Sequence, residues 1–274
     1  MTEAAGHAQA AHRMVTRVRA GRRFEEDDLL ALERPLELRV AGRALSVTLR
    51  TPGHDRELAT GFLAGEGLIR AAADVVDVTL APAACADEPD VAELTLAPGV
   101  KLDWTVLERH FASTSACGLC GRAHVESLRA GLEPRRGGPT LDADALLELP
   151  ARLADAQATF AATGGLHAAA LCDASLAIEV VREDVGRHNA VDKVAGWLLE
   201  RSRYPEPSGV LWVSGRAGAE IVLKAARARI PVLVAVGAPS SLAVELAEAA
   251  GMTLGGFLRE GRINLYCGAE RVAG

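Results

Sequence analysis

The chain has 274 residues, of which 49% are hydrophobic, so it can bury a sizeable core in one large domain or two ordinary ones. Thirty basic and 36 acidic residues give a formal net charge of -6, which argues against general nucleic-acid binding, because that needs a basic surface. No apolar run approaches the roughly 20 residues of a membrane-spanning helix, and the first residues lack the apolar stretch of a secretory signal. We therefore expect a cytoplasmic protein that binds neither nucleic acid nor membrane, with a frayed N-terminus leading into the first strand.

The N-terminal third has the patterns of a small β-rich α+β domain, which we assign to residues 1–110. Apolar and polar residues alternate on both sides of Ala41-Gly42 and predict a β-hairpin over 36–50. A turn at 51–53 leads into a short amphipathic helix over 55–63. Two further strands are predicted at 75–80 and 91–96.

The remainder, 111–274, reads as an α/β domain. After a loop of small polar residues over 111–122, a helix is predicted to open at about Ala123. The predicted strands are 167–172, 175–181, 209–213, 231–236 and a final pair flanking 256–262. The predicted helices are 143–162 with Asp142 as a possible N-cap, 184–202, 219–229 and 242–250. This alternation predicts parallel pairing and a helix-covered sheet.

Two Gly/Ser-rich loops, 214–218 and 237–241, follow buried strands and each lead into a helix. Ligands of such sheets bind at the carboxyl ends of the strands, where helix N-termini present backbone N–H groups to anions. The sequence therefore predicts a phosphate-type site at this edge, with Ser214, Gly215 and Arg216 in its first loop.

The pair Cys117-Gly-Leu-Cys120 is the strongest chemical signal in the chain. Two cysteines at this spacing can bind zinc, form a redox disulfide or carry sulfur, and a thiolate near a helix start and Arg122 is expected to be nucleophilic. A structural zinc site needs a second ligand pair, and Cys85, Cys172 and Cys267 are single and scattered, so we predict no structural metal. A zinc deaminase is also disfavoured, because the His124-Val-Glu126 motif follows the cysteine pair instead of preceding it.

Three further segments carry candidate ligand residues. His167 follows two glycines that permit close approach to a ligand, although a helix cap plus one polar strand residue explains it equally well. In Glu183-Asp-Val-Gly-Arg-His-Asn-Ala-Val-Asp-Lys193, the residues Arg187, His188 and Asn189 stand where a strand passes into a helix. This placement fits an anion or cofactor pocket better than a solvated helix face. The last segment, 257–262, supplies Arg beside Gly and suits phosphate.

Together these segments resemble the formate dehydrogenase accessory sulfurtransferase family, FdhD, over nearly the whole chain. The resemblance includes Glu33-Arg-Pro-Leu36, Thr51-Pro-Gly53, Glu57-Leu-Ala-Thr-Gly-Phe-Leu63, Gly65-Glu-Gly67, the cysteine loop, Thr163-Gly-Gly-Leu-His167, the run from Glu183 to Lys193, and the run from Ser214 to Tyr266. One departure is Gly218-Ala219, where Ser-Phe is common in the family.

The resemblance implies a cytidine-deaminase-like three-layer larger domain and a homodimer. It implies a sulfurtransferase that takes persulfide sulfur from a cysteine desulfurase and passes it to the molybdenum bis(molybdopterin guanine dinucleotide) cofactor of formate dehydrogenase. Cys117 matches the persulfide carrier, and Cys120 matches a second, less uniform cysteine. The segment assigned to cofactor binding matches Phe257, Leu258, Arg259, Glu260, Gly261 and Arg262. The alternatives are a chaperone that binds the cofactor without sulfur chemistry and a zinc hydrolase or deaminase.

Overall fold

The computed structural model describes residues 9–85, 88–104, 132, 134 and 137–274. The principal strands are β1 (Ala10–Arg19), β2 (Arg22–Ala31), β3 (Arg34–Val40), β4 (Arg43–Arg50), β5 (Val75–Ala81), β6 (Asp90–Leu96), β7 (Leu141–Asp142), β8 (His167–Cys172), β9 (Ile178–Asp184), β10 (Val210–Val213), β11 (Val232–Ala235), β12 (Thr253–Arg259), β13 (Arg262–Cys267) and β14 (Val272–Ala273). The helices are α1 (Asp55–Gly65), α2 (Ala143–Ala154), α3 (Ala158–Thr163), α4 (Arg187–Glu200), α5 (Ala219–Arg227) and α6 (Ser241–Ala249). The mixed α/β class is confirmed; the cytidine-deaminase likeness and the boundary at residue 110 stay predictions.

The N-terminal part of the fold is built on a four-stranded sheet in the order β4-β3-β6-β5. The predicted hairpin over 36–50 is confirmed as β3 and β4. Its turn residues Ala41 and Gly42 both have positive φ, 52° and 75°, as a two-residue hairpin turn of the primed type requires. Arg50 is buried at the end of β4 and donates to Asp55 and Asp90, which holds the sheet against the start of α1.

The second sheet has six strands in the order β13-β12-β11-β10-β8-β9. The predicted parallel pairing is confirmed for β10, β11 and β12, while β8, β9 and β13 run antiparallel to their neighbours. Alternate residues of β10 point to opposite faces: Leu211 packs under α4, α5 and α6, and Trp212 packs under α2. The sheet is therefore covered by helices on both faces.

The closest contact between the two parts of the fold is the crossing of α1 and α4. A Cβ built on Gly61 of α1 would overlap the Asp192 carbonyl oxygen, and one built on Gly196 of α4 would overlap the backbone of Glu57. The two helix backbones meet directly at these glycines. Beside the crossing, Arg182 of β9 grips the Glu57 carboxylate with two hydrogen bonds of 2.5 and 2.7 Å.

Three expectations from the sequence are wrong. The described part of the N-terminus is not frayed. It forms an antiparallel hairpin in which β1 and β2 share ten residue pairs, from Ala10 opposite Ala31 to Arg19 opposite Arg22. The helix predicted over 143–162 is two helices, α2 and α3. The buried Gln157 leaves the helical region, and its side-chain amide donates to the Leu153 carbonyl at the end of α2. The predicted N-cap Asp142 is confirmed by its bond to Ala145 N.

The third wrong expectation concerns the strand and helix around residue 184. Strand β9 continues to Asp184, and α4 begins only at Arg187. The Asp184 carboxylate accepts the Gly186 N–H at 2.8 Å, so it holds the turn between strand and helix and does not begin the helix.

We expect Gly61→Ala to lower the free energy of unfolding by at least about 2 kcal/mol, because the added methyl forces two helix backbones apart. This loss would exceed the roughly 1 kcal/mol that alanine contributes over glycine in a helix. Urea denaturation measures it. Gly99→Ala is the matched control, since a Cβ there meets nothing within 4 Å, and it should change stability by less than about 0.5 kcal/mol. Equal effects of the two variants would contradict the role given to the crossing.

Candidate functional site

The carboxyl edge of the six-stranded sheet is a continuous line of loops joined by backbone hydrogen bonds. The Ser214 N–H donates to the Ala168 carbonyl and the Ser214 hydroxyl accepts the Ala168 N–H, both at 2.9 Å. The Gly237 N–H donates to the Gly215 carbonyl at 2.9 Å, and the Phe257 N–H donates to the Gly237 carbonyl at 3.2 Å. The segments predicted to hold phosphate therefore lie side by side, as the parallel strands require.

His167, Gly215 and Arg187 meet at one end of this edge. A Cβ on Gly215 would lie 3.4 Å from His167 Nδ1 and 3.7 Å from Arg187 Cδ, so glycine keeps this corner open. Burial lowers the pKa of His167 below its ordinary value, and the positive charges of Arg187 and His188 lower it further. At neutral pH the imidazole is uncharged and can both donate and accept hydrogen bonds.

Two helices begin at this edge without a side-chain cap. Gly186 precedes α4 and Gly218 precedes α5, and neither residue has a side chain that could accept a first-turn N–H. By contrast, the Ser240 hydroxyl accepts the Ala243 N–H at the start of α6. The starts of α4 and α5 can therefore receive an anion.

The segment Phe257–Arg262 forms the tip of the β12–β13 hairpin. Glu260 and Gly261 have φ values of 55° and 69°, which turns the chain and sets Arg259 directly opposite Arg262. Both arginine side chains are exposed. Leu258 points the other way and is fully buried among the residues under α2. Within the segment predicted to bind the cofactor, Arg259 and Arg262 are therefore accessible to a ligand, whereas Leu258 is part of the core.

Asp184 is a buried carboxylate whose hydrogen bonds position the start of α4. Its carboxylate is fully buried and lies 2.7 Å from Lys193 Nζ, and it accepts the Thr51 N–H and the Asn189 amide at 3.2 and 3.0 Å. Lys193 also donates to the carbonyls of Thr51 and Glu183. The turn after β4 is thus tied to the start of α4 by a closed set of hydrogen bonds.

The side chains of the predicted run from Glu183 to Lys193 divide between two roles. Arg187 and His188 lie partly exposed at the sheet edge, whereas Asn189 is buried and bonded to Leu49 O, Asp184 and Thr48. His188 Nε2 lies 3.0 Å from the Glu220 carboxylate of α5. The role of Asn189 as a ligand residue stays a prediction, and its contacts give it a positioning role.

Sequence reasoning did not identify Thr51 and Glu220 as parts of this region. Thr51 is 133 residues from Asp184 along the chain, and Glu220 is 32 residues from His188. No local spacing could indicate either contact, because only the paired sheets and helices bring them together.

The predicted catalytic residues Cys117 and Cys120 lie outside the described residues. The described thiols divide by exposure: Cys85 is exposed, whereas burial raises the pKa of Cys172 to about 12 and also raises that of Cys267. Over the ranges that the structure covers, no His, Cys, Asp or Glu side chains are grouped to hold a metal ion. Within the same ranges, no helix has the length and apolarity that crossing a membrane takes.

The fold is of the mixed α/β class, with a six-stranded sheet that has two helix starts without a side-chain cap at its carboxyl edge. This fold is found in a known structure. A crystal structure of a putative formate dehydrogenase accessory protein from Desulfotalea psychrophila is similar over 97% of this chain and 100% of that one, with a TM-score of 0.76 and 24% identity. The model of the FdhD/NarQ family matches residues 31–273.

Curated relatives match nearly the whole length of the chain. The sulfur carrier protein FdhD of Mycolicibacterium paratuberculosis is 48% identical over 95% of this chain and 97% of its own. The protein of the same name from Sulfolobus acidocaldarius is 39% identical over 94% and 96%. The chain belongs to the FdhD/NarQ family.

We expect Arg187→Leu to raise the pKa of His167 towards its ordinary value of about 6.5, because the variant removes a nearby positive charge. Titration of the imidazole signals by NMR measures the shift. Arg201→Leu, at the far end of α4, is the control and should leave the titration unchanged.

The same lowered pKa has a consequence for stability. As the pH falls below about 6.5, the unfolded chain binds a proton at this histidine more readily than the fold does, so His167 reduces stability progressively. A rise in stability in wild type relative to His167→Gln over that interval would contradict this sign.

Proposed function

We propose that this protein is a sulfur carrier that receives persulfide sulfur on Cys117 and passes it to a molybdenum cofactor bearing guanine dinucleotides, for use by formate dehydrogenase. The observation that carries the proposal is the open edge formed by the 214–218 loop, the 237–241 loop and the hairpin Phe257–Arg262. The family membership and the names of the curated relatives support sulfur as the cargo.

Burial argues against two of the five cysteines as the sulfur carrier, Cys172 and Cys267, and so leaves the pair Cys117 and Cys120 and the exposed Cys85. Sulfur transfer needs a thiolate, and burial disfavours the thiolate of Cys172 and Cys267. In the proposed loading step, the Cys117 thiolate attacks the outer sulfur of a desulfurase persulfide. A new S–S bond forms on Cys117, the old S–S bond breaks, and the desulfurase cysteine leaves as a thiolate.

The charge at the sheet edge supports a ligand that carries phosphates. Arg187, Arg216 and Arg262 form no ion pair with any residue within the described ranges, so their guanidinium groups are available. Together with the uncapped starts of α4 and α5, they suit pyrophosphate oxygens. His167 and Arg187 both lie beside Gly215, so the neutral imidazole can donate or accept one further hydrogen bond with the same ligand.

A desulfurase as donor, formate dehydrogenase as client and a homodimeric assembly complete the proposal. The second candidate is a chaperone that binds the cofactor and carries no sulfur. The same sheet edge favours it equally, and only the chemistry of the cysteines distinguishes the two.

Incubation with an active cysteine desulfurase and cysteine should add a reducible mass of about 32 Da per sulfur atom, measured on the intact protein. Cys117→Ala should abolish this gain, because it removes the attacking thiolate. Cys85→Ala is the matched control, since it removes an exposed thiol and should keep the gain. If the wild-type protein gains no mass, the result would contradict the sulfur carrier and favour the chaperone that only binds the cofactor.

Guanosine diphosphate is a probe of the nucleotide end of the cofactor. Arg216→Ala should weaken its binding by about 10-fold or more in calorimetry, because a charge-assisted contact to phosphate is lost. Arg201→Ala removes an equal charge from the far end of α4, where that side chain stacks on Trp197, and should bind like wild type. Equal weakening by both variants would indicate only a general effect of net charge.

A further inference from the structure

A cavity lies at the end of the six-stranded sheet opposite the edge proposed to bind the cofactor. Its volume is about 430 Å³, which is within the range of small-molecule sites. Ile230 and Met252 line it and come just before β11 and β12, so the cavity is at the amino ends of these parallel strands. The loops that suit phosphate follow the carboxyl ends of β10 and β11, and the two sites are therefore separate.

Three helices, α1, α5 and α6, end at this cavity in the same backbone motif. After each helix, a residue donates its N–H to the carbonyl five positions back, at 2.8 Å for Leu68, 3.0 Å for Ile230 and 2.9 Å for Met252. The last carbonyl groups of a helix carry the negative end of its dipole. The three helix ends therefore make one side of the cavity favourable for a positive charge.

The side chain of Glu66, just after α1, adds a carboxylate to this side of the cavity. Its Oε1 lies 3.1 Å from Lys224 Nζ, and the same ammonium group lies 2.8 Å from the buried Asp192 carboxylate. One positive charge is thus shared between two negative ones. The balance of charge on this side is negative, as it is at the helix ends.

Three hydrogen-bond donors line the same cavity. Arg70 is exposed, and its guanidinium pairs with no acidic side chain within the described ranges. Arg227 donates to the Gly65 carbonyl through one of its N–H groups and has others for a ligand. Tyr204 is only 7% exposed, and its phenol has no hydrogen-bond partner among the residues that the structure describes.

Burial raises the pKa of Tyr204, so the phenol keeps its proton at neutral pH and can donate it to an acceptor. A buried donor is costly unless it is paired, which indicates that an acceptor belongs beside it. Together with the two arginines, the phenol favours a carboxylate, because arginine binds the two oxygens of that group with two parallel hydrogen bonds.

Most of the remaining wall is apolar and is formed by Ala64, Ile69, Ile230, Ala250 and Met252. A ligand that satisfies the whole cavity therefore has an apolar body, a carboxylate for the donors and a cationic group for the negative side. A phosphate suits the cavity poorly, because its charge would face a carboxylate and three helix ends.

We propose that this cavity binds a free α-amino acid with an apolar side chain. Arg70, Arg227 and Tyr204 hold its carboxylate, and its ammonium group lies at Glu66 and the end of α1. Its side chain packs on the apolar wall. The site shares no residue with the sheet edge or the cysteine loop, so it stands or falls independently of the sulfur-carrier function.

Calorimetry on the full chain with matched compounds tests the class of ligand. L-phenylalanine and L-leucine should bind. Hydrocinnamate lacks the ammonium group and phenethylamine lacks the carboxylate, so each should bind at least about 10-fold more weakly than L-phenylalanine. N-acetyl-L-phenylalanine represents the carboxyl end of a peptide. Equal binding of that compound, or no binding of either amino acid at up to about 10 mM, would overturn the proposal.

The methionines report directly on where the amino acid binds. In a chain with isotope-labelled methionine methyl groups, L-phenylalanine should shift the NMR signal of Met252, which lines the cavity. The signal of Met14, on the exposed strand β1, is the internal control and should stay in place. A Met252 signal that does not move at saturating L-phenylalanine would place the binding elsewhere and refute the site.

Two variants test the donors. Tyr204→Phe keeps the ring and removes only the hydroxyl, and Arg70→Gln removes an exposed charge, so both should fold. Each should weaken the binding of L-phenylalanine at least about 5-fold, because a hydrogen bond to a charged group is lost. Arg13→Gln, on β1, removes an equally exposed charge outside the cavity and should bind like wild type. Unchanged binding in both Tyr204→Phe and Arg70→Gln would contradict the proposal.

Discussion

The backbone contact between α1 and α4 is the constraint on which the arrangement of this protein depends. Gly61 and Gly196 let the two helices touch, and no other residue at either position has room for a side chain without displacing the partner. Helix α1 belongs to the N-terminal part of the chain, and α4 begins at the open sheet edge. The crossing therefore fixes the positions of Arg187 and His188, at the start of α4, relative to the N-terminal part of the chain.

Ion-paired groups on both sides of the crossing hold the two helices in one orientation. Arg182 holds Glu57 on one side, and the Asp184–Lys193 pair holds the turn at Thr51 on the other. A buried ion pair contributes little net stability, but breaking one leaves an uncompensated charge. Here these pairs fix the position of the start of α4 relative to the ends of β4 and β9.

The open edge follows from this rigid frame. Glycines at 215 and 237 let neighbouring loops approach, and the loops are bonded to one another through their backbones. Within the described ranges the exposed side chains of this edge include Arg216, Arg259 and Arg262 together with Glu260, whereas Asp184 and Lys193 are buried and paired inside the fold. Because the buried charges are paired with one another, the exposed arginines of the edge are left to bind a ligand that carries phosphates.

Much of the fold could be predicted from sequence because its elements are local. The hairpin at Ala41-Gly42, the strands β10 and β11 and the N-cap Asp142 each rest on patterns within a few residues. The hairpin of β1 and β2 was not predicted, because its strands have no clean alternation and its larger apolar side chains, such as Met14, Val18 and Phe24, stay exposed. Their register is visible only once the strands are paired.

The sequence by itself determined the class of fold, the cysteine pair and the segments that line the sheet edge, since these depend on residue type and short spacing. Only the tertiary structure decided that Asp184, Asn189 and Lys193 turn inwards to residues 48–51 while Arg187 and His188 stay partly exposed. All five lie within one run, and helical spacing alone cannot tell which side chains face a partner 130 residues away. The packing of α4 against α1 and β4 makes that choice, because it buries one side of the helix and leaves the other open.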